Sequence, residues 1–145
     1  MTLLEIRGLN TFYGESHILR DVDITVKKGE MVCLIGRNGV GKTTLLMSLI
    51  GLLKPREGEV IFNGESLNKK PPHQRARKGI GYVPQGREII PYLTVEENLK
   101  IGMESLPGGL SKNQRVDKFV FELFPVLERF LSRKGGDLSG GQQQQ

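Results

Sequence analysis

The chain has 145 residues, 37 % of them hydrophobic, with 21 basic and 16 acidic side chains for a net charge of +5. That is enough chain for one domain with a core, and the charge excess is too small and too diffuse to point to nucleic acid as a partner. A single cysteine excludes an internal disulfide or a multi-cysteine metal site, and no run reaches the about 18 apolar residues that would cross a bilayer.

Residues 3–9 read as a strand, and Glu5 and Arg7 interrupt the opening apolar run, so no basic-then-apolar signal segment is seen. Residues 18–26 form a second strand with Ile24 and Val26 on one face. Lys28-Gly29-Glu30 then turns the chain into the apolar run Met31-Val32-Cys33-Leu34-Ile35. A continuous run of this kind suits an interior strand of an α/β sheet, and it predicts a buried Cys33, in keeping with a reducing compartment.

The run opens directly into Gly36-Arg37-Asn38-Gly39-Val40-Gly41-Lys42-Thr43-Thr44. This is the phosphate-loop pattern in its strand–loop–helix setting. Gly36, Gly39 and Gly41 remove side chains where backbone N–H groups crowd around phosphate, with Asn38 between them. Lys42 can neutralise the β and γ phosphates, the Thr43 hydroxyl can ligate Mg2+, and Thr44 can add a hydrogen bond to phosphate. The helix that follows is expected over residues 42–52, with Leu45, Leu49 and Leu52 on one side and Gly51 weakening its last turn.

Residues 59–62 read as a short strand entering the Asn63-Gly64 turn. Residues 73–78 read as a helix after Pro71-Pro72, and the cluster Arg75, Arg77 and Lys78 as its solvated end. Residues 80–83 return to strand character before Pro84-Gln85-Gly86. Thr94-Val95-Glu96-Glu97 has capping-box spacing and starts a helix toward Ile101. Pro107-Gly108-Gly109 is a loop. Val116, Phe119, Val120 and Leu123 repeat at helical spacing until Pro125 ends or bends that helix. Residues 92–137 therefore look mostly helical. Ser139-Gly140-Gly141-Gln142 reads as a second phosphate-facing helix start, with a hydroxyl donor and exposed backbone donors.

Taken together, the phosphate loop, Gln85 in Tyr82-Val83-Pro84-Gln85, and Leu138-Ser139-Gly140-Gly141-Gln142 resemble an ABC transporter ATP-binding subunit. The resemblance implies an α/β P-loop NTPase nucleotide-binding domain. Residues 1–91 would form a β-rich core portion, 92–137 a helical subdomain, and 138–145 the signature motif. It implies ATP and Mg2+ as cofactors, with Thr43 and Gln85 toward the metal and Gln85 also positioning water. Tyr13 would stack on adenine, and Ser139, Gly140, Gly141 and Gln142 would cap ATP held by a second subunit, arranged head to tail. Two permease subunits and, indirectly, a solute-binding protein would complete an importer at the cytoplasmic face of the bacterial membrane, with residues 84–104 as coupling surface and no nucleic acid partner.

The stretches Gly79-Ile80-Gly81-Tyr82-Val83-Pro84-Gln85-Gly86-Arg87-Glu88-Ile89-Ile90-Pro91 and Leu93-Thr94-Val95-Glu96-Glu97-Asn98-Leu99 resemble the branched-chain amino acid and urea importer branch. Leu123-Phe124-Pro125-Val126-Leu127 and residues 135–145 resemble urea-transporter UrtE-type ATPases in particular. Branched-chain amino acid import is the alternative cargo; in that sister group a glutamate often stands where this chain has Gln85. ABC ATPases of ribosomes or nucleic acid, and a non-catalytic nucleotide-binding fragment, are the other readings. The family pattern continues beyond a signature motif into a Walker B aspartate, a catalytic glutamate and a switch histidine. His17 and His73 sit in neither context, so weak or absent hydrolysis is expected of these 145 residues alone.

Overall fold

A computed structural model describes residues 1–86, 88–103 and 115–144. The expected loop at Pro107-Gly108-Gly109, and Arg87 within the branch-specific stretch, lie outside them. The described residues form two compact units, Met1–Ile80 and Gly81–Gln145.

The first unit is built on an antiparallel sheet in the order β2-β1-β3-β4, with β1 Thr2–Tyr13, β2 Ser16–Lys27, β3 Glu57–Phe62 and β4 Glu65–Ser66. β1 is central and 12 residues long, yet its buried positions Ile6, Leu9 and Thr11 do not keep strict alternation. The register with β3 slips by one residue between Arg7 and Asn10. That bulge, at Gly8 with φ of +53°, returns Leu9 to the face already occupied by Ile6. The opposing Gly58, at φ +92°, lies so close that an added Cβ would sit 2.4 Å from the Gly8 carbonyl oxygen and 2.6 Å from Leu9 Cα. Asn63 and Gly64, both at positive φ, turn β3 into β4 as the sequence predicts.

Helix α1, Lys42–Ile50, lays Leu45 against the cluster of Ile6, Leu9, Leu19, Val60 and Leu67. In its middle the buried Ser48 hydroxyl donates to the Thr44 carbonyl at 2.8 Å and lies 3.1 Å from the Thr11 hydroxyl. Ser48 has one proton and spends it on Thr44, so Thr11 donates to Ser48. The helix ends at Ile50, earlier than predicted, because Gly51 adopts a left-handed φ of +84°. Leu52 is consequently 58 % exposed.

Arg75, in α2 (Pro72–Arg77), is only 4 % exposed. Its Nη1 donates to the Ser48 and Leu49 carbonyls at 3.0 and 2.6 Å, and its Nε to the Lys70 carbonyl at 2.9 Å. The expected solvated basic cluster is thus corrected at its first member. Arg75 caps the C-terminal end of α1, where orphan carbonyls and the helix dipole favour a cation. Burial lowers its pKa from the ordinary arginine value, though an arginine stays charged. Lys78 pairs with Glu65, which also holds Lys70 at 2.7 Å.

Two predicted strands are absent. Residues 31–35 join no ladder, and Met31 and Ile35 are 96 % and 87 % exposed. Cys33 is exposed rather than buried. Residues 80–83 likewise join no ladder. An apolar run becomes a strand only where a neighbouring strand offers N–H and C=O partners, and among the described residues no strand pairs with either run; the Ile80 N–H donates instead to the Arg75 carbonyl at 3.4 Å.

The second unit contains α3 Val95–Met103, α4 Lys118–Leu123 and α5 Pro125–Phe130. The capping box is present in full: the Thr94 N–H donates to Glu97 Oε2 at 2.7 Å, and the Glu97 N–H to Thr94 Oγ1 at 3.2 Å. The Thr94 N–H, and the Thr94 hydroxyl donating to the same Oε2 at 2.8 Å, hold the Glu97 carboxyl below its usual pKa. Pro125 separates α4 from α5 as predicted and supplies the first residue of the latter. Asn98 pins the incoming loop, accepting from the Ile90 N–H at 2.8 Å and donating to the Thr94 carbonyl at 2.9 Å. The Val95 N–H to Arg133 carbonyl and Gly135 N–H to Leu93 carbonyl bonds, both 2.8 Å, tie the start of α3 to the segment before Leu138.

Two predictions follow from the first unit. Gly58→Ala must move backbone and accept a strained φ, so it destabilises by about 3 kcal/mol or more, seen as a lowered urea midpoint; an unchanged midpoint refutes the bulge account. Glu65 is held by Lys70 and Lys78 at a pKa of about 2, against 4.5 unperturbed. A depressed carboxylate pKa stabilises above the unfolded value and loses that contribution as pH falls toward 2. Glu65→Gln should therefore flatten the pH dependence of thermal stability between those values.

Candidate nucleotide site

The phosphate loop lies in the first unit as an exposed turn feeding α1. Lys42 folds back over it, its Nζ donating to the Gly36 and Arg37 carbonyls at 2.7 and 2.6 Å. An ammonium has three donors, so one remains for a ligand. Gly41 takes φ +101°, and a Cβ there would lie 2.9 Å from Leu19 Cδ2. Gly39 needs glycine for its φ of +81° alone, and a Cβ on Gly36 would meet Val40 Cγ2 at 3.0 Å.

Gly41 is also the cap of α1. It offers no side-chain acceptor, and the first turn holds no acidic residue. The Leu45 N–H is the first to close a helical bond, to the Gly41 carbonyl at 2.9 Å. The N–H groups of Lys42, Thr43 and Thr44 are thus left to an external acceptor at the positive end of the helix, the arrangement that takes phosphate. Thr43 is exposed there, and Thr44 is buried.

Among the described residues no cluster of histidine, cysteine or acidic side chains could hold a metal ion. In P-loop sites Mg2+ is bound by the loop's serine or threonine hydroxyl and an aspartate, together with phosphate. Thr43, exposed beside the anion cradle, fits the hydroxyl part of that set, and none of the described residues is assigned the aspartate part.

Tyr13 ends β1 and is 48 % exposed. Its hydroxyl reaches Met47 Sδ of α1 at 3.8 Å. The neighbouring Phe12 is differently engaged, stacked on His17 with centroids 4.0 Å apart. Of the two adjacent aromatics, Tyr13 is the one placed beside the helix of the phosphate loop.

Gln85 and residues 138–142 belong to the second unit. Gln85 is exposed in a turn with Gly86 and lines a cavity of about 390 Å³ with Val83, Pro84, Gln143 and Gln144. At Ser139 the chain repeats the reciprocal capping seen at Thr94. The Ser139 N–H donates to Gln142 Oε1 at 2.9 Å, and the Gln142 N–H to Ser139 Oγ at 3.4 Å. As acceptor in that bond, the Ser139 hydroxyl keeps its own proton to donate outward. Gly140 and Gly141 are exposed beside it, and Gln143 Nε2 fastens the turn to the Gly135 and Leu138 carbonyls, both at 3.1 Å. Sequence reading singled out Ser139 and Gln142 but missed Asn98 and Gln143, which fix the backbone leading to them. Asn98 stood inside a recognised stretch, but no periodicity marks a side chain that bonds loop carbonyls.

The comparisons with known proteins bear on family and fold. A family profile described as ABC transporter matches residues 19–145. A probable branched-chain amino acid transport ATP-binding protein LivF of Archaeoglobus fulgidus is 44 % identical, over 98 % of this chain and 59 % of its own. The high-affinity branched-chain amino acid transport ATP-binding protein BraG of Pseudomonas aeruginosa is 42 % identical, over 98 % and 60 %. The chain thus spans about three fifths of these relatives. Among solved structures, an ATP-binding subunit of an ABC transporter superposes with a TM-score of 0.79 at 35 % identity, over 98 % of this chain and 58 % of that one. A dimeric ATP-binding cassette in a post-hydrolysis state with ADP and Pi gives 0.81 at 32 %, over 98 % and 66 %. With the cassette fold, the matched profile and these relatives in agreement, the chain belongs to the ABC transporter family of ATP-binding proteins.

Proposed function

We propose that this chain is the nucleotide-engaging portion of an ATPase subunit that drives import of branched-chain amino acids. The observation that carries the nucleotide part is the uncapped start of α1 beneath the Lys42-closed loop. The two relatives quoted above support the cargo class. They favour it over urea, which rested on the likeness of residues 123–127 and 135–145 to urea-transporter ATPases and on Gln85.

In this reading ATP is the substrate. The backbone N–H groups at the start of α1 take its phosphate oxygens, and Lys42 supplies a charge that offsets theirs. Thr43 holds Mg2+, which when bound neutralises charge on the β and γ phosphates. Tyr13 gives the base a stacking face, which needs no hydrogen bond and so selects weakly among bases. Gln85 positions water and joins the nucleotide site to the helical subdomain of residues 92–137. Ser139, Gly140, Gly141 and Gln142 cap the ATP of a second subunit, and two permease subunits carry the cargo that a solute-binding protein delivers. The dimeric cassette with ADP and Pi supports the paired arrangement.

Lys42→Ala removes a charge-assisted contact worth about 1.5–3 kcal/mol, so ATP binding should weaken about 10- to 100-fold; unchanged ATP binding refutes the site. Ser139→Ala should leave the first ATP-binding step intact while abolishing ATP-dependent dimerisation in size-exclusion chromatography. Parallel loss of both would mean that Ser139 acts within its own subunit.

A further inference from the structure

β1 and β2 are joined by Gly14 and Glu15 alone, and Tyr13 is the last residue before that turn. The tyrosine has little of its own to hold it, since its hydroxyl contact to Met47 is a 3.8 Å bond to a thioether. Its placement depends on the backbone of the hairpin tip. β3 pairs with β1 only from Leu4 to Asn10, so among the described residues no third strand supports the hairpin at its tip.

One side chain outside the hairpin grips it. Arg56 precedes β3, and its guanidinium carbon lies 4.2 Å from the centroid of the Phe12 ring. His17, paired across the strands with Phe12, stacks on the same ring at 4.0 Å with 12° between planes. Two groups so close to one centroid cannot share a face, so Phe12 is held between them. The same guanidinium donates through Nη2 to the Gly14 carbonyl at 2.6 Å and approaches Glu15 Oε1 at 3.8 Å. Its backbone N–H donates to the Asn10 carbonyl at 2.9 Å, and Asn10 Oδ1 bonds His17 Nε2 at 2.8 Å. A half-exposed arginine with this many attachments to one turn has been ordered at an entropic cost. A planar fork can stack and donate at once, which a lysine cannot do.

We propose that Arg56 is a positioning residue for nucleotide recognition, clamping the β1–β2 turn so that Tyr13 is set in place for the base. This rests on the reading of Tyr13 as the base platform. Arg56 touches neither the phosphate loop nor α1 in any of these contacts. It therefore acts on the base-dependent part of affinity and leaves the phosphate-dependent part alone. A merely structural arginine would weaken both together.

The test measures Mg2+-ATP and Mg2+-tripolyphosphate binding to the protein and to Arg56→Gln, Arg56→Lys, Tyr13→Ala and the Arg56→Gln/Tyr13→Ala double variant. Arg56→Gln should weaken ATP about five- to tenfold, the scale of a lost cation–π contact and its hydrogen bond, and leave tripolyphosphate within about twofold. Arg56→Lys should fall between. In the double variant ATP should bind as it does to Tyr13→Ala alone, because a clamp has no effect once its tyrosine is gone. Unchanged ATP binding in Arg56→Gln overturns the proposal, as does an equal loss of both ligands. If Tyr13→Ala leaves ATP binding intact, the base-platform reading falls and the proposal with it. If Arg56→Gln alone is silent while Tyr13→Ala weakens ATP, only the role of Arg56 falls.

Discussion

Everything in the first unit depends on an electrostatic asymmetry in one nine-residue helix. The start of α1 has no capping side chain and no acidic residue, so its N–H groups remain available to an anion. Its far end is closed by the buried Arg75 guanidinium on the Ser48 and Leu49 carbonyls. Among the described residues no carboxylate forms an ion pair with Arg75, so the helix carbonyls and dipole are what offset its charge. A helix this short is marginal alone, and an uncapped start weakens it further. The compensation comes from Leu45 in the core and from the buried Thr11–Ser48 hydroxyl pair. Gly51 serves the same arrangement, because a Cβ there would lie 2.8 Å from Arg75 Nε. The phosphate cradle is stable because stability is supplied at every point of the helix except its mouth.

The second unit solves the opposite problem. Its backbone turns must be held still without a large core, and reciprocal capping does this twice, at Thr94 with Glu97 and at Ser139 with Gln142. The two sites are not separate. The strand-like bonds from Val95 to Arg133 and from Gly135 to Leu93 run between them, and Gln143 continues the same path to Ser139 through the Gly135 and Leu138 carbonyls. A rigid α3 start therefore sets the backbone from which the serine and its glycines are displayed.

Most local features were legible because local chemistry decides them. The Asn63-Gly64 turn, the Thr94 capping box, the break of the helical run at Pro125 and the phosphate-loop pattern each follow from a few adjacent residues. The failures involve partners distant in sequence. Residues 31–35 have strand composition, but ladder bonds come from other strands, and composition cannot say whether those are there. Arg75 read as surface charge because its acceptors are carbonyls 26 and 27 residues away. The bulge at Gly8 was hidden for a related reason: the alternation breaks by one residue, and only the close approach of Gly58 makes that break obligatory.

This division also accounts for what the site can discriminate. On the proposed reading phosphate would be met mainly by backbone N–H groups and one lysine, so its recognition would be written in glycines and a helix start. The base would be met by one aromatic face whose placement is delegated to a turn and, through Phe12, to Arg56. Gln85, exposed in a turn of the second unit, would on the proposed reading serve energy conversion and not the cargo. Residues so placed follow descent more closely than cargo, which is why overall identity to the branched-chain amino acid relatives weighs more than that one side chain in assigning what is carried.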